Sequence, residues 1–244
     1  MELVRRLLEN LFPSRCILCQ QTVLEPAINQ NIEICSSCYE ALPHNDNCCT
    51  HCALPLPEDI DNDVLCGRCI KNRPIFDYSY SLFRYEEEII NLVHQLKFGE
   101  KISYARSIGE LLLTTMVDRL LPEQGMPDCV IPVPLHDRRL RERGYNQSTE
   151  IARVLAKKMD LPIAQGKVLR QRSTLTQTGL KADERQRNIK GAFKVVSELN
   201  DKHVLVVDDV ITTGSTVNEL AKVLKKSGVE RVGVLSIARA PLKS

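Results

Sequence analysis

Eight cysteines in four pairs constrain this chain more than any other feature: Cys16 and Cys19, Cys35 and Cys38, Cys49 and Cys52, Cys66 and Cys69, each pair separated by two residues. A knuckle of that spacing lets both sulfurs reach one ion at about 2.3 Å, and two knuckles close a tetrahedron with no open position. Fifteen residues lie between the first two pairs and thirteen between the last two, so the order predicts two four-cysteine sites in tandem. Zinc suits this spacing best and an iron–sulfur cluster is its competitor. A closed site of this kind is structural. Pro43, Pro55, Pro57 and the acidic run Glu58 to Asp63 separate the knuckles, and with few large apolar side chains nearby the metal must do the work of a core. Disulfides would need an oxidising compartment, and MELVRRLLENLF lacks the apolar centre and small-residue cleavage site of a secretion signal. Cys48 and His51 could exchange with the ligands beside them, whereas Cys129, in an apolar run, reads as core.

Beyond Pro74, near residue 75, the pattern becomes that of a packed α/β chain. Asp77 to Phe83 alternates Tyr78, Tyr80 and Leu82 as a strand does, and Glu86 to Phe98 gives helical spacing at Ile89, Ile90, Val93, Leu96 and Lys97. A second helix is predicted from Ser103 to about Leu121, a short buried strand at Asp128 to Pro134, and a helix from Gly144–Gln147 to about Met159. Strands near 128, 166, 204 and 231, alternating with helices near 146 and 215, predict a mainly parallel sheet with its ligand at the carboxyl edge. His94 and Lys97 read as solvated or dipole-compensating groups, and His136 as a solvated loop residue. No apolar run approaches the roughly 20 residues that span a bilayer, so a cytoplasmic protein is expected. Leu3, Val4, Leu7, Leu8 and Leu11 share one helical face, expected to pack on the protein itself.

The most specific chemistry lies in Val204 to Thr216, VLVVDDVITTGST. An apolar strand is expected to end at Asp208 and Asp209, and Ile211, Thr212, Thr213, Gly214, Ser215 and Thr216 form a small-residue loop leading into a helix. A helix N-terminus offers unpaired N–H groups and positive dipole, and a glycine lets the backbone approach an anion, so the loop suits a phosphate. Two carboxylates accept hydrogen bonds from a vicinal diol or approach a magnesium ion. Together they describe a sugar phosphate. Without a lysine or a glycine-rich fingerprint the loop is neither a P-loop nor a dinucleotide site.

Charge separates along the chain although the net is only +2. Residues 1 to 75 hold 6 Lys and Arg against 10 Asp and Glu, leaving 27 against 21 for the rest. Arg138 to Arg143 carries four arginines placed just after a strand edge, among them Arg138 and Arg139, where guanidinium groups could hold a pyrophosphate. Leu169 to Phe193 is basic and poor in apolar residues until Ile189, as a lid, a binding surface or a disordered loop would be. In it Arg170, Arg172, Lys181, Arg185 and Arg187 could meet pyrophosphate or nucleic-acid phosphate.

VLVVDDVITTGST resembles the phosphoribosyl pyrophosphate (PRPP) motif of type I phosphoribosyltransferases, in which the acids contact the ribose hydroxyls and the loop holds the 5-phosphate. The paired cysteines, FDYSYSLFRYEEEI, LKFG, VIPVPLHDRRLRERGYNQ and QTGLKADERQRNIKGAF extend the likeness to the ComF family, from Cys16 to about Arg239. That resemblance implies a double zinc ribbon over residues 1–75 and a phosphoribosyltransferase-type α/β domain over 76–244. It also implies two structural Zn2+ ions, Mg2+ bound with PRPP, and a role in natural transformation by DNA uptake. The implied partners are PRPP, single-stranded DNA, and a competence helicase or other DNA-uptake proteins. As an enzyme such a chain would displace pyrophosphate from the anomeric carbon in favour of an acceptor the sequence does not name. The alternatives are a nucleobase-salvage phosphoribosyltransferase and a non-catalytic adaptor that keeps a vestigial PRPP site.

Overall fold

The run Val204 to Val207 is apolar at every position, and because successive strand side chains face opposite ways it needs cover on both sides of a sheet. The computed structural model, which describes residues 14–29, 32–60, 64–98, 102–172 and 187–242, supplies that cover. Four parallel strands form the sheet: β1 (Tyr78–Arg84), β2 (Cys129–Pro132), β5 (His203–Ile211) and β6 (Arg231–Arg239), in the order β1-β6-β5-β2. Two short helices, α1 (Ser36–Glu40) and α2 (Gly67–Lys71), belong to the cysteine region. Around the sheet lie α3 (Glu87–Phe98), α4 (Tyr104–Thr115), α5 (Leu121–Gln124), α6 (Asp137–Arg143), α7 (Gln147–Met159) and α8 (Ser215–Lys226). Leu205 and Val207 join Leu235 and Ile237 in a core with α3, α4 and α7, while Val204 and Val206 pack with α8. The alternation along β5 thus divides the interior into two cores.

Four expectations need correction. The strand near 166 is β3 (Val168–Arg170), which pairs antiparallel with β4 (Phe193–Val195) and stands outside the parallel sheet. On the edge of β2 away from β5, Ile163 makes an isolated parallel bridge to Val130. Strand β5 does not stop at the acids: β6 continues beside it, pairing Asp208 with Ser236 and Ile211 with Arg239, and that ladder overrides the polar residues. The helix after Ser103 is α-helical only to Thr115. Thr114 and Thr115 donate their hydroxyls to the carbonyls of Glu110 and Leu111 at 3.1 Å, and the helix then widens into a π-turn over Met116–Leu120. His136, expected as a solvated loop residue, caps the helix α6 that the arginine-rich stretch after β2 forms, its Nδ1 accepting the N–H of Arg138 at 3.2 Å.

The cysteines gather in two sets, Cys16, Cys19, Cys35 and Cys38, and Cys49, Cys52, Cys66 and Cys69, with the ligand sulfurs of each set within 4.8 Å of one another. A tetrahedron with arms of about 2.3 Å has edges of roughly 3.8 Å, so small adjustments close both around a zinc ion. Hydrogen bonding from the Cys52 thiol, helped by the N–H of Cys66 and opposed by burial, lowers Cys49 to about 4, as a thiolate ligand requires. Cys48 stays outside the set, its thiol raised by burial to about 11, and His51 instead stacks on Phe76 with centroids 5.5 Å apart. The two sets take opposite sides. Cys16, Ile32 and Ile34 of the first pack into the core of α3, α4 and α7, whereas the second packs into the core of α8. Cys129 is buried in β2. The helix expected over residues 2–11 lies outside the described residues. Among the described residues no helix is long and apolar enough to cross a membrane.

Two outcomes follow from this packing. Replacing Cys35 with Ser should cut zinc content, measured by metal analysis, from two ions per chain to about one, because a three-thiolate set binds far more weakly; unchanged stoichiometry would remove Cys35 from the ligands. Gly233 faces Tyr78 across the β1–β6 ladder, and a Cβ there would come within 2.2 Å of Tyr78 Cζ. That ring is pinned by a 2.7 Å hydrogen bond between its hydroxyl and His203 Nε2. Gly233→Ala should therefore cost about 1–3 kcal/mol in urea unfolding, and an unshifted midpoint would show that the ring yields freely.

Candidate functional site

The carboxyl ends of β1, β2 and β5 open into a cavity of about 440 Å³ lined by Asp208 and Asp209, by Thr212 and Thr216 of the loop, and by four cationic side chains from three other elements. Asp208 accepts hydrogen bonds through Oδ1 from the N–H of Asp209 at 2.9 Å and from Ser148 Oγ at 3.2 Å. Burial, and then the neighbouring Asp209, raise its pKa to about 7 against the pull of Lys97. Asp209 Oδ1 accepts the N–H of Val210 at 2.7 Å, and Oδ2 meets Lys97 Nζ at 3.0 Å.

Lys97 is the residue whose role the sequence concealed. Near the end of a helix a lysine ordinarily serves the dipole, yet here its ammonium enters the cavity. Burial opposes its charge, but Asp209 and Asp208 outweigh that and hold its pKa above the ordinary lysine value. The GYNQ turn before α7 fixes where α3 delivers it. Tyr145 donates its hydroxyl, and Gln147 its amide at 3.4 Å, to the carbonyl of Leu96, the residue before Lys97. Asn146 caps α7 by accepting the N–H of Ser148 at 3.2 Å and anchors to β2 by donating to the carbonyl of Val133 at 2.9 Å. His94 also lines the cavity and packs on Phe98 with centroids 4.9 Å apart.

Of the arginines expected to meet a pyrophosphate, Arg139 from α6 and Arg170 from β3 line the cavity, joined by Arg143 from α6. Burial lowers the pKa of Arg170 to about 10 and also that of Arg143. The Arg143 guanidinium lies 4.9 Å from the Phe98 ring centroid and that of Arg170 5.7 Å from Phe193. Arg138 turns away to pair with Glu142 at 2.8 Å on the exposed face of α6. Arg172 donates to the carbonyl of Lys190 at 2.9 Å, and Arg187 is exposed; neither lines the cavity. Lys181 and Arg185 lie outside the described residues.

The loop from Ile211 to Thr216 is braced from behind. Gly214, with φ of 80°, takes the left-handed conformation that lets the chain enter α8. Thr213 and Ser215 share a hydrogen bond of 2.8 Å between their hydroxyls. Arg239, fully buried at the end of β6, donates to the carbonyls of Ile211 at 3.0 Å, of Thr212, and of Ala240 at 3.1 Å. Its Nε donates to the carbonyl of Cys52 at 3.1 Å, so one guanidinium ties the loop to the second cysteine set. Nothing in the spacing of the sequence marks Arg239. Its partners are carbonyls, and carbonyls leave no pattern.

Comparison with known proteins agrees with this arrangement. Residues 7–70 match the double zinc ribbon domain and residues 141–243 the phosphoribosyl transferase domain. The chain is 35% identical over 235 residues to competence protein F of Haemophilus influenzae, covering 95% of this chain and 99% of that one. It is 33% identical over 228 residues to the DNA utilization protein YhgH of Escherichia coli strain K12, covering 93% and 97%. The YhgH of Salmonella typhimurium is 34% identical over the same length and coverage. With both domain types matched and relatives aligned across nearly their whole length, this chain belongs to the ComF family of competence protein F.

Proposed function

We propose that the protein binds PRPP with magnesium in the cavity at the carboxyl edge of the sheet, transfers the phosphoribosyl group, and serves the handling of DNA taken up by the cell. The observation that carries this reading is the lining itself: an acid pair, a hydroxyl-bearing loop at a helix N-terminus and four cations share one space. Asp208 and Asp209 accept the two ribose hydroxyls, and the N–H and hydroxyl groups of Thr212 to Thr216 take the 5-phosphate. Arg139, Arg143 and Arg170 face the pyrophosphate, where bidentate guanidinium contacts favour the departing charge. A magnesium ion bound with the ligand would supply further positive charge to the leaving group. Lys97 holds the place of that positive charge in the free protein and releases Asp209 when the diol arrives. The acids orient the sugar and do not attack it. Relatives named for competence and DNA utilization support the cellular role.

Asp208→Asn combined with Asp209→Asn should abolish calorimetrically detected PRPP binding while zinc content stays at two ions per chain; tight binding by that variant would remove the ribose assignment. The raised pKa of Asp208 adds a pH dependence whose sign is fixed. A carboxyl group held at about 7 is protonated in more acid solution and then loses acceptor capacity, so PRPP affinity should rise with pH and level off above 7. Well below that value it should fall by up to about tenfold per pH unit. The same raised pKa favours the folded protein at low pH, and that advantage disappears as pH rises toward 7. An affinity flat from pH 6 to 8 would show that Asp208 does not titrate in binding.

A further inference from the structure

Arginines hold three successive carbonyls of the loop, those of Ile211, Thr212 and Thr213. Arg239 takes the first two, and Arg68, standing between the ligands Cys66 and Cys69, donates to the third at 3.5 Å. In a trans peptide the carbonyl and the N–H that follows it point opposite ways. Tying these carbonyls back therefore turns the N–H groups of Thr212, Thr213 and Gly214 away from the arginines. Farther along, Asn218 of α8 accepts the N–H of Ile75, at the exit of the second ribbon, at 2.6 Å.

Arg239 is buried and pairs with no carboxylate among the described residues. Its donors are met by carbonyls, so losing one of these leaves a buried charged group short of a partner and loosens its hold on the others. The carbonyl that its Nε meets belongs to Cys52, a member of the second set. The next residue, Ala53, has φ of 51°, a left-handed conformation that its Cβ disfavours, and its N–H closes the knuckle on the carbonyl of Cys49 at 2.9 Å. Releasing Cys49 and Cys52 from a shared ion frees Ala53 to relax, and the Cys52 carbonyl turns with it. Among the described residues the first ribbon is tied instead to α4, where Gln20 Nε2 donates to the Tyr104 hydroxyl at 3.4 Å and the N–H of Glu33 to Ser107 Oγ at 3.1 Å.

We propose, on the PRPP reading above, that the second zinc ribbon is part of the PRPP site. Through Arg239 and Arg68 it sets the loop that receives the 5-phosphate, so PRPP affinity depends on the metal of Cys49, Cys52, Cys66 and Cys69 and not on that of the first set. Arg239 is a positioning residue, acting through the backbone it holds. The coupling is reciprocal: bound PRPP tightens zinc in the second set by the factor that this zinc tightens PRPP.

The test compares zinc content, calorimetric PRPP affinity with magnesium, and amide hydrogen exchange in the unmodified full chain and in its Cys66→Ser, Cys35→Ser and Arg239→Lys variants. Cys66→Ser should retain about one zinc ion per chain and bind PRPP about tenfold more weakly, the worth of one charge-assisted contact. Its amides from Thr212 to Thr216 should exchange faster while those of Val204 to Val207 stay protected. Cys35→Ser, also with about one ion, should stay within roughly twofold of the unmodified affinity. Arg239→Lys keeps both ions and the charge, but one ammonium cannot span the carbonyls of Cys52, Ile211, Thr212 and Ala240. It should match the loss in Cys66→Ser, and the two changes combined should add little, because both break the same connection. Unchanged affinity and loop exchange in Cys66→Ser, an equal loss in Cys35→Ser, or additive losses in the combined variant would overturn the proposal. If Cys66→Ser does not fold, Arg239→Lys with two ions bound decides, and unchanged loop exchange there overturns it. An unmodified chain that takes up no PRPP refutes the PRPP reading, and exchange at Thr212 to Thr216 then still decides whether the ribbon holds the loop.

Discussion

Two carboxylates on consecutive residues, largely withdrawn from water, repel each other, burial and that repulsion raise the pKa of Asp208, and much of the architecture answers that problem. The parallel ladder carries Asp208 and Asp209 to the cavity floor, where Ser148 and backbone N–H groups accept part of the load. The rest falls to Lys97, which arrives from α3 only because Tyr145 and Gln147 grip the carbonyl before it. Strand, crossover helix and GYNQ turn thus converge on one charge balance. With Arg139, Arg143 and Arg170 around it, the cavity holds more positive than negative side chains, the balance suited to a ligand with several phosphates.

The cysteine ribbons are more than an appendage to this centre. The first packs its Ile32 and Ile34 into the core of α4 and α7, and the second seals the α8 side. Arg239 joins the second ribbon to the loop, since the same guanidinium contacts the carbonyls of Cys52, Ile211 and Thr212. Hydrogen bonds from a charged donor contribute about 1.5–3 kcal/mol each, so the loop is set from its far side before any ligand is present. Preorganisation of this kind lowers the ordering cost of binding a phosphate.

Much of this was legible in the residue order because the relevant constraints are local. Cysteine spacing gave the two metal sets, and the apolar run ahead of Asp208 gave the central strand with its acids and loop. What escaped was non-local. Lys97 looked like a helix-end lysine because its partner is over a hundred residues away. The stretch near 166 carried a strand pattern, but only the fold shows that its partner is Phe193–Val195 rather than the sheet. The arginines after β2 stand out in the sequence only as a group, and helix α6 sorts them, turning Arg139 and Arg143 to the cavity and Arg138 to solvent.

The most direct test of the central claim is a crystal structure of the zinc-loaded protein with PRPP and magnesium. The expected result is ribose hydroxyls on Asp208 and Asp209, the 5-phosphate on the Thr212 to Thr216 loop, and Lys97 withdrawn from Asp209. A ligand seated elsewhere, or with its pyrophosphate rather than its 5-phosphate on that loop, would contradict it.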